Sequence, residues 1–343
     1  MGGIRRFGRT ILLLVAFAAL ASSCGAHSAR PPGGKFLVYT RHLNGEAQAV
    51  WIAHLDGSHP RLLVRQGLFG AVSPDGRWVA YDRCLASRER CHTGNAPFAL
   101  FLISTSGGKA RLLARSTTYP SWSPKSDRIV GLRRNLLVSI DLDGKTKLLE
   151  KSPAIAGWSF SPDGKWLVYA EARQHTRCDS DLFIVPASGG EERRLTRGRD
   201  VFPVWGTHWI AFSRYPKSCA YARRIWRIRP DATGERPVTA PPAPRFARNG
   251  YYGLDPIDWT PDEIALLGGL ATEWGPEAIR VDVTTGAFRR LSGYALDVSS
   301  DGRFALVDSG GSEGPQTIAS IRISDGRRRV LAHGDVAFPS WNR

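Results

Sequence analysis

The sequence predicts an all-β chain, a seven-bladed β-propeller of four-stranded antiparallel blades closed by N- and C-terminal strands sharing one blade. Three observations carry that expectation. A Ser-Pro-Asp-Gly hairpin followed by an aromatic and aliphatic run recurs along the chain, seven further strands ending in turns keep step with it, and the two chain ends hold complementary parts of one blade.

The clearest copies of the hairpin are 72–81 (VSPDGRWVAY) and 160–169 (FSPDGKWLVY). Degenerate copies occupy 122–130, 259–266 and 298–306, with a shortened one at 202–212. Their spacing runs from roughly 38 to 55 residues, bracketing the ~40–50 of propeller blades. Each residue type has a mechanical reason. Proline presets φ at the start of a tight turn, aspartate folds back on the turn's own backbone, and glycine takes the positive φ that closes it. The run that follows lacks polar alternation, as a strand covered on both faces should.

Third strands follow at 51–57, 101–107, 138–144, 183–189, 226–234, 280–286 and 321–326. Short outer strands come next, such as Arg111-Leu112-Leu113 and Arg194-Leu195-Thr196. The domain opens at 35–39, a second strand with no first strand before it, and stops at 338–343, a first strand with nothing after it. Six internal blades and this shared one make seven.

Residues 1–23 read as a lipoprotein-type signal peptide: Arg5, Arg6 and Arg9, then an apolar run from Ile11 to Leu20, then small residues. Ten or so apolar residues are too few for a spanning helix, which needs about 20. Cys24 follows directly, and a cysteine so placed resembles a bacterial lipobox, which implies lipidation there; ordinary cleavage nearby is the alternative. Residues 24–34, rich in Gly and Pro, form a flexible tether, and 35–343 the propeller. Setting Cys24 aside leaves an even set, Cys84, Cys91, Cys178 and Cys219, in a chain routed to where disulfides persist. Cys84 and Cys91 share one loop, while Cys178 and Cys219 occupy equivalent loops of consecutive blades, so the expected bonds are Cys84–Cys91 and Cys178–Cys219.

The Ser-Pro-Asp-Gly-Lys/Arg hairpin with its aromatic-aliphatic strand resembles the Pro-Asp repeat of TolB-type propellers, across nearly all of 35–343. The resemblance implies the architecture and no partner-binding residues; the extra N-terminal domain of TolB has no counterpart, and seven blades are counted where TolB has six. Similar propellers gate prolyl-oligopeptidase-like peptidases, but the α/β-hydrolase domain those need is not expected here.

No catalytic residue and no cofactor is expected. Gly310-Gly311-Ser312-Glu313-Gly314 matches a nucleophile elbow, yet it lies between two strands with no helix to follow, where the motif does not function. The histidines lack metal-site spacing, and no Cys-x-x-Cys exists, so no metal site is assigned. His92 and His175 fall in equivalent loops, the one route by which blades could converge on a metal.

The formal charge is +16, and removing the three leader arginines leaves +13. Much of it lies beside outer strands, at Arg193-Arg194, Arg289-Arg290 and Arg327-Arg328-Arg329, where charge discourages edge-to-edge aggregation. The working face is placed where the long loops open: 83–97, 173–181, 214–223, 268–277 and the inter-blade connection 237–253. Its ligand-binding candidates are Arg83, His92, Arg173, His175, Arg214, Tyr215, Tyr221, Arg245, Arg248, Tyr251, Tyr252 and Trp274. The reading is a monomeric binding or scaffold protein, exported and membrane-anchored through its lipid. Its expected partner is an envelope protein or anionic envelope polymer, with nucleic acid excluded by export. The alternative is a lyase or hydrolase acting on a polysaccharide or cyclic peptide.

Overall fold

A computed structural model describes residues 36–43, 47–86, 90–91, 97–150, 155–173, 178–217, 219, 222–241, 253–272, 275–299, 301–308, 316–334 and 336–341. Among these, 28 strands pair into seven four-stranded antiparallel sheets. They form blade 1 (36–64 with 336–341), blade 2 (68–115), blade 3 (117–148), blade 4 (155–194), blade 5 (200–237), blade 6 (253–290) and blade 7 (294–333). In blades 2 to 7 the strands follow chain order. Blade 1 takes its first strand from the far end of the chain: Val336–Trp341 pairs with Phe36–Leu43, Leu37 opposite Trp341. The ring is closed by its own two ends, as the sequence predicts.

The recurring hairpin is held by its own side chains. Ser73 Oγ donates to Asp75 Oδ1 at 2.5 Å, the Trp78 amide donates to Ser73 Oγ at 3.0 Å, and Gly76 takes φ 73°. Ser161, Asp163 and Trp166 repeat the arrangement. Two degenerate copies replace the glycine with a side chain in the left-handed region, Ser126 (φ 58°) and Glu263 (φ 54°). Both put that side chain to use on the preceding blade. Ser126 Oγ accepts the Asp75 amide at 3.0 Å, and Glu263 accepts the His208 amide at 3.0 Å while pairing with the His208 ring at 2.9 Å. Strained backbone at these turns is offset by bonds between blades.

Second strands are buried on both faces; Leu167, Val168, Tyr169 and Ala170 are all 0% exposed. Core clusters bridge neighbouring blades, and indoles stitch the seams: Trp122 Nε1 donates to the Ala71 carbonyl at 2.9 Å and Trp259 Nε1 to Val204 at 3.1 Å. Every first-to-second-strand ladder carries a register shift. At four of them the inner strand turns left-handed, at Phe69, Tyr119, Gly157 and Phe202.

The outer strands show a use for charge beyond solubility. Arg61, Arg111, Lys147, Arg193, Arg289 and Arg329 occupy one position of the repeat, two residues before a Leu. Each reaches the turn after the third strand of the next blade. Arg61 donates to Thr105, Arg111 to Leu142, Lys147 to Gly189 at 3.3 Å, Arg193 to Pro230 at 2.5 Å and Arg289 to Ile323, all at backbone carbonyls, while Arg329 pairs with Asp56 at 3.6 Å. These six clasps circle the ring. Blade 5 departs from the pattern, with Arg236 at that position facing its own blade.

Candidate functional site

Antiparallel order puts the connections between second and third strands, and those between blades, on one face. The described part of that face is most elaborate across blades 4 to 6. Cys178 and Cys219, in equivalent connections of blades 4 and 5, are disulfide-bonded with Cα atoms 5.6 Å apart. Cys84 and Cys91 form the second bond, within blade 2. Both pairings are those expected from the sequence.

Around the inter-blade bond runs a chain of alternating charges. Arg173 Nη2 lies 3.1 Å from Asp179 and 3.0 Å from Asp181, and Arg194 approaches the other Asp181 oxygen at 3.3 Å. Asp181 itself is fully buried. Across the seam, Ser180 Oγ donates to the Asp200 carbonyl at 2.7 Å. Arg214 then grips Asp200 with two hydrogen bonds, 2.6 and 2.8 Å, and reaches Glu235 at 2.5 Å. Its guanidinium lies 4.4 Å from the Trp226 ring centroid. Burial opposes the Arg214 charge, but the two carboxylates outweigh it and hold the group above its usual range.

The last link crosses to blade 6. Arg223 forms a bidentate pair with Asp255 at 2.8 and 2.6 Å and donates to Tyr215 Oη at 3.3 Å. Its side chain is only 7% exposed. Asp255 also accepts Ser213 Oγ at 2.7 Å. Bidentate pairs of this kind fix geometry as well as charge. The outcome is a rigid polar surface in which cations and carboxylates are already matched, edged by Tyr215 and Phe202.

Of the ligand-face candidates, the structure brings Arg173, Arg214 and Tyr215 together on blades 4 and 5. Arg83 stands apart on blade 2, its guanidinium 5.6 Å from the Phe101 centroid and bonded to Gln66 at 3.2 Å. His92, His175, Tyr221, Arg245, Arg248, Tyr251, Tyr252 and Trp274 lie outside the described residues, as do Cys24 and the Gly310–Gly314 motif. One expected loop is a ladder instead. From Gly268 to Glu277 the second and third strands of blade 6 stay paired up to Thr272 opposite Gly275. Sequence reasoning passed over Asp181, Asp200, Arg223, Glu235 and Asp255. Arg223 ends the 214–223 loop and Asp255 follows the 237–253 connection, so each adjoins a long loop of the expected working face.

A second feature of this face is Asp82, at the end of the second strand of blade 2. It is fully buried; Oδ2 accepts the Tyr119 amide of blade 3 at 2.9 Å and Oδ1 has no partner among the described residues. Burial pushes its carboxyl well above the usual range, with the Tyr119 hydrogen bond pulling the other way. Among the described residues no group of three His, Cys, Asp or Glu side chains is placed to hold a metal ion.

No family model matches the chain. An uncharacterized protein of Agrobacterium fabrum is 26% identical over 133 residues, 36% of this chain and 42% of that protein, so the match spans under half of the relative's length. TolB from Acinetobacter baumannii superposes with a TM-score of 0.54 at 15% identity, over 91% of this chain and 68% of that one. An oligogalacturonate lyase in complex with manganese gives 0.58 at 16% identity, covering 88% and 86%. The β-propeller domain of the Trilobed protease from Pyrococcus furiosus, described as having an open velcro topology, gives 0.62 at 13% identity, covering 90% and 98%. Here, in contrast, the terminal strands pair. At such low identity the likeness shows the fold alone: the chain is a seven-bladed β-propeller with TolB, lyase and peptidase propellers among its structural neighbours.

Proposed function

We propose that this protein is a binding or scaffold propeller of the cell envelope that recognises a protein or anionic polymer through the loop face of blades 4 to 6. The observation carrying the reading is the braced surface itself. A disulfide between blades, the Arg214–Asp200–Glu235 link and the Arg223–Asp255 pair hold the mouth of the ring in one geometry. Preorganised surfaces of this kind bind with little ordering cost. Without the three leader arginines the formal charge of +16 becomes +13, which favours an anionic partner. Immobilised protein, exposed to envelope fractions at low salt, should capture a discrete protein or polymer, and Arg173→Glu combined with Tyr215→Ala should weaken the capture. Absence of any captured species would defeat the reading.

The two disulfides are consistent with an exported protein. In the proposed arrangement residues 1–23 are removed, Cys24 carries the lipid and 24–34 tether the monomeric propeller to the membrane. Mass analysis of the N-terminal peptide should find a diacylglyceryl adduct, and Cys24→Ser should leave the protein in the soluble fraction. The lyase or hydrolase alternative draws on the likeness to the manganese-bound lyase. Metal retained by purified protein, and lost on replacing His92 or His175, would favour it.

A further inference from the structure

On the opposite face, at the blade-5 end of the hairpins, three guanidinium groups converge on one indole. Arg227, Arg229 and Arg236 place their central carbons 4.4, 5.0 and 5.4 Å from the Trp209 centroid. Arg227 and Arg236 are directly opposite each other in the ladder between the third and fourth strands. Like charges in that position repel and destabilise a sheet unless something lies between them.

None of the three forms an ion pair or a side-chain hydrogen bond with a described residue, and Arg227 Nε is shielded from solvent without a partner. The neighbouring acids are engaged elsewhere. Glu263 is held by the His208 amide and ring, and Asp231 accepts the amide and hydroxyl of Thr233 at 2.9 and 2.6 Å. Burial and the Arg236 charge press Arg227 below its usual range, against a weaker pull from the Glu263 carboxylate. Among the described residues the arrangement is peculiar to blade 5. At the equivalent position of every other blade the basic side chain is committed to the next blade, including Arg289, which also sits opposite an arginine, Arg280, but donates to the Ile323 carbonyl. Arg193 of blade 4 bonds the Pro230 carbonyl at 2.5 Å, adding a fourth cation to the rim.

We infer that Trp209, Arg227, Arg229 and Arg236 form an oxyanion site for a phosphate or sulfate group. Three planar forks present more donors than the two oxygens of a carboxylate can accept, whereas a tetrahedral oxyanion offers an oxygen to each. The indole attracts the three cations through its ring, without neutralising them. This site is separate from the loop face and stands or falls independently of it.

The test is calorimetric titration of the full-length protein with inorganic phosphate and with sulfate, alongside flotation with phosphatidylglycerol vesicles and with neutral phosphatidylcholine vesicles. Saturable binding of either ion is expected, with Arg227→Gln/Arg236→Gln weakening it at least about tenfold, a loss of ~1.4 kcal/mol. Arg289→Gln, which removes a charge from the next blade, should leave it unchanged. Arg236→Gln alone should raise Tm in ion-free buffer, since it relieves a like-charge pair, so a folding defect cannot be mistaken for lost binding. Vesicle binding that disappears in the double variant assigns the source to a lipid headgroup; ion binding without vesicle binding assigns it to a free anion. No saturable binding of any probe, or binding equally affected by Arg289→Gln, overturns the inference.

Discussion

Arg223 Nη2 and Asp255 Oδ2 stand 2.6 Å apart across the seam between blades 5 and 6, with both side chains largely shielded from water. Breaking such a pair strands a buried charge, which costs about 3–5 kcal/mol. Arg223→Ala should therefore lose that much stability in urea unfolding. Adding Asp255→Asn should restore part of the loss, because the stranded carboxylate is gone.

The Cys178–Cys219 bond closes a separation of 41 residues and Cys84–Cys91 one of 7. Chain-entropy reasoning gives roughly 4 kcal/mol for the first and about 2.4 for the second. Cys178→Ser/Cys219→Ser should lower Tm more than Cys84→Ser/Cys91→Ser under oxidising conditions, and all three proteins should converge when reduced.

Asp82 makes stability depend on pH. Its folded carboxyl holds a proton more tightly than the unfolded one, so its contribution is fully present below the unfolded value near ~3.9 and is lost as pH rises through the raised folded value. Asp82→Asn keeps an acceptor for the Tyr119 amide and removes the dependence. The variant should exceed the parent by about 1–3 kcal/mol at neutral pH, and the two should converge near pH ~4. Denaturant midpoints measured across that range check the sign.

The outer clasps predict an asymmetry between equivalent arginines. Arg193→Ala breaks the bond to Pro230 of blade 5 and should cost about 1 kcal/mol, whereas Arg236→Ala breaks no hydrogen bond, relieves the like-charge pair with Arg227 and should leave stability equal to or above the parent's. Thermal unfolding of the two variants side by side distinguishes them.

What the sequence made legible was local. Pro74, Asp75 and Gly76 declare a turn because their roles depend on neighbours one to three residues away, and the sharing of one blade by the two terminal strands follows from counting strands. The Cys178–Cys219 bond was legible because equivalent loops of adjacent blades must be neighbours. The charge network was not. Arg223 and Asp255 are 32 residues apart, and no periodic pattern links them before the blades are placed side by side. The degenerate hairpin at 259–266 hides the role of Glu263, since its contact with His208 lies on another blade. In sequence the arginines of the outer strands suggest protection against edge-to-edge aggregation, because a carbonyl acceptor leaves no mark there. Arg83, Arg173 and Arg214, expected at the ligand-binding face, each have a partner inside the protein.

The central claim is that recognition occurs at the braced loop face. Hydrogen-exchange mass spectrometry of the protein with its captured envelope partner tests it most directly. Protection gathered in peptides containing Arg173, Tyr215 and Asp255 is the predicted result. Protection confined to the opposite face around Trp209, or none at either face, would contradict it.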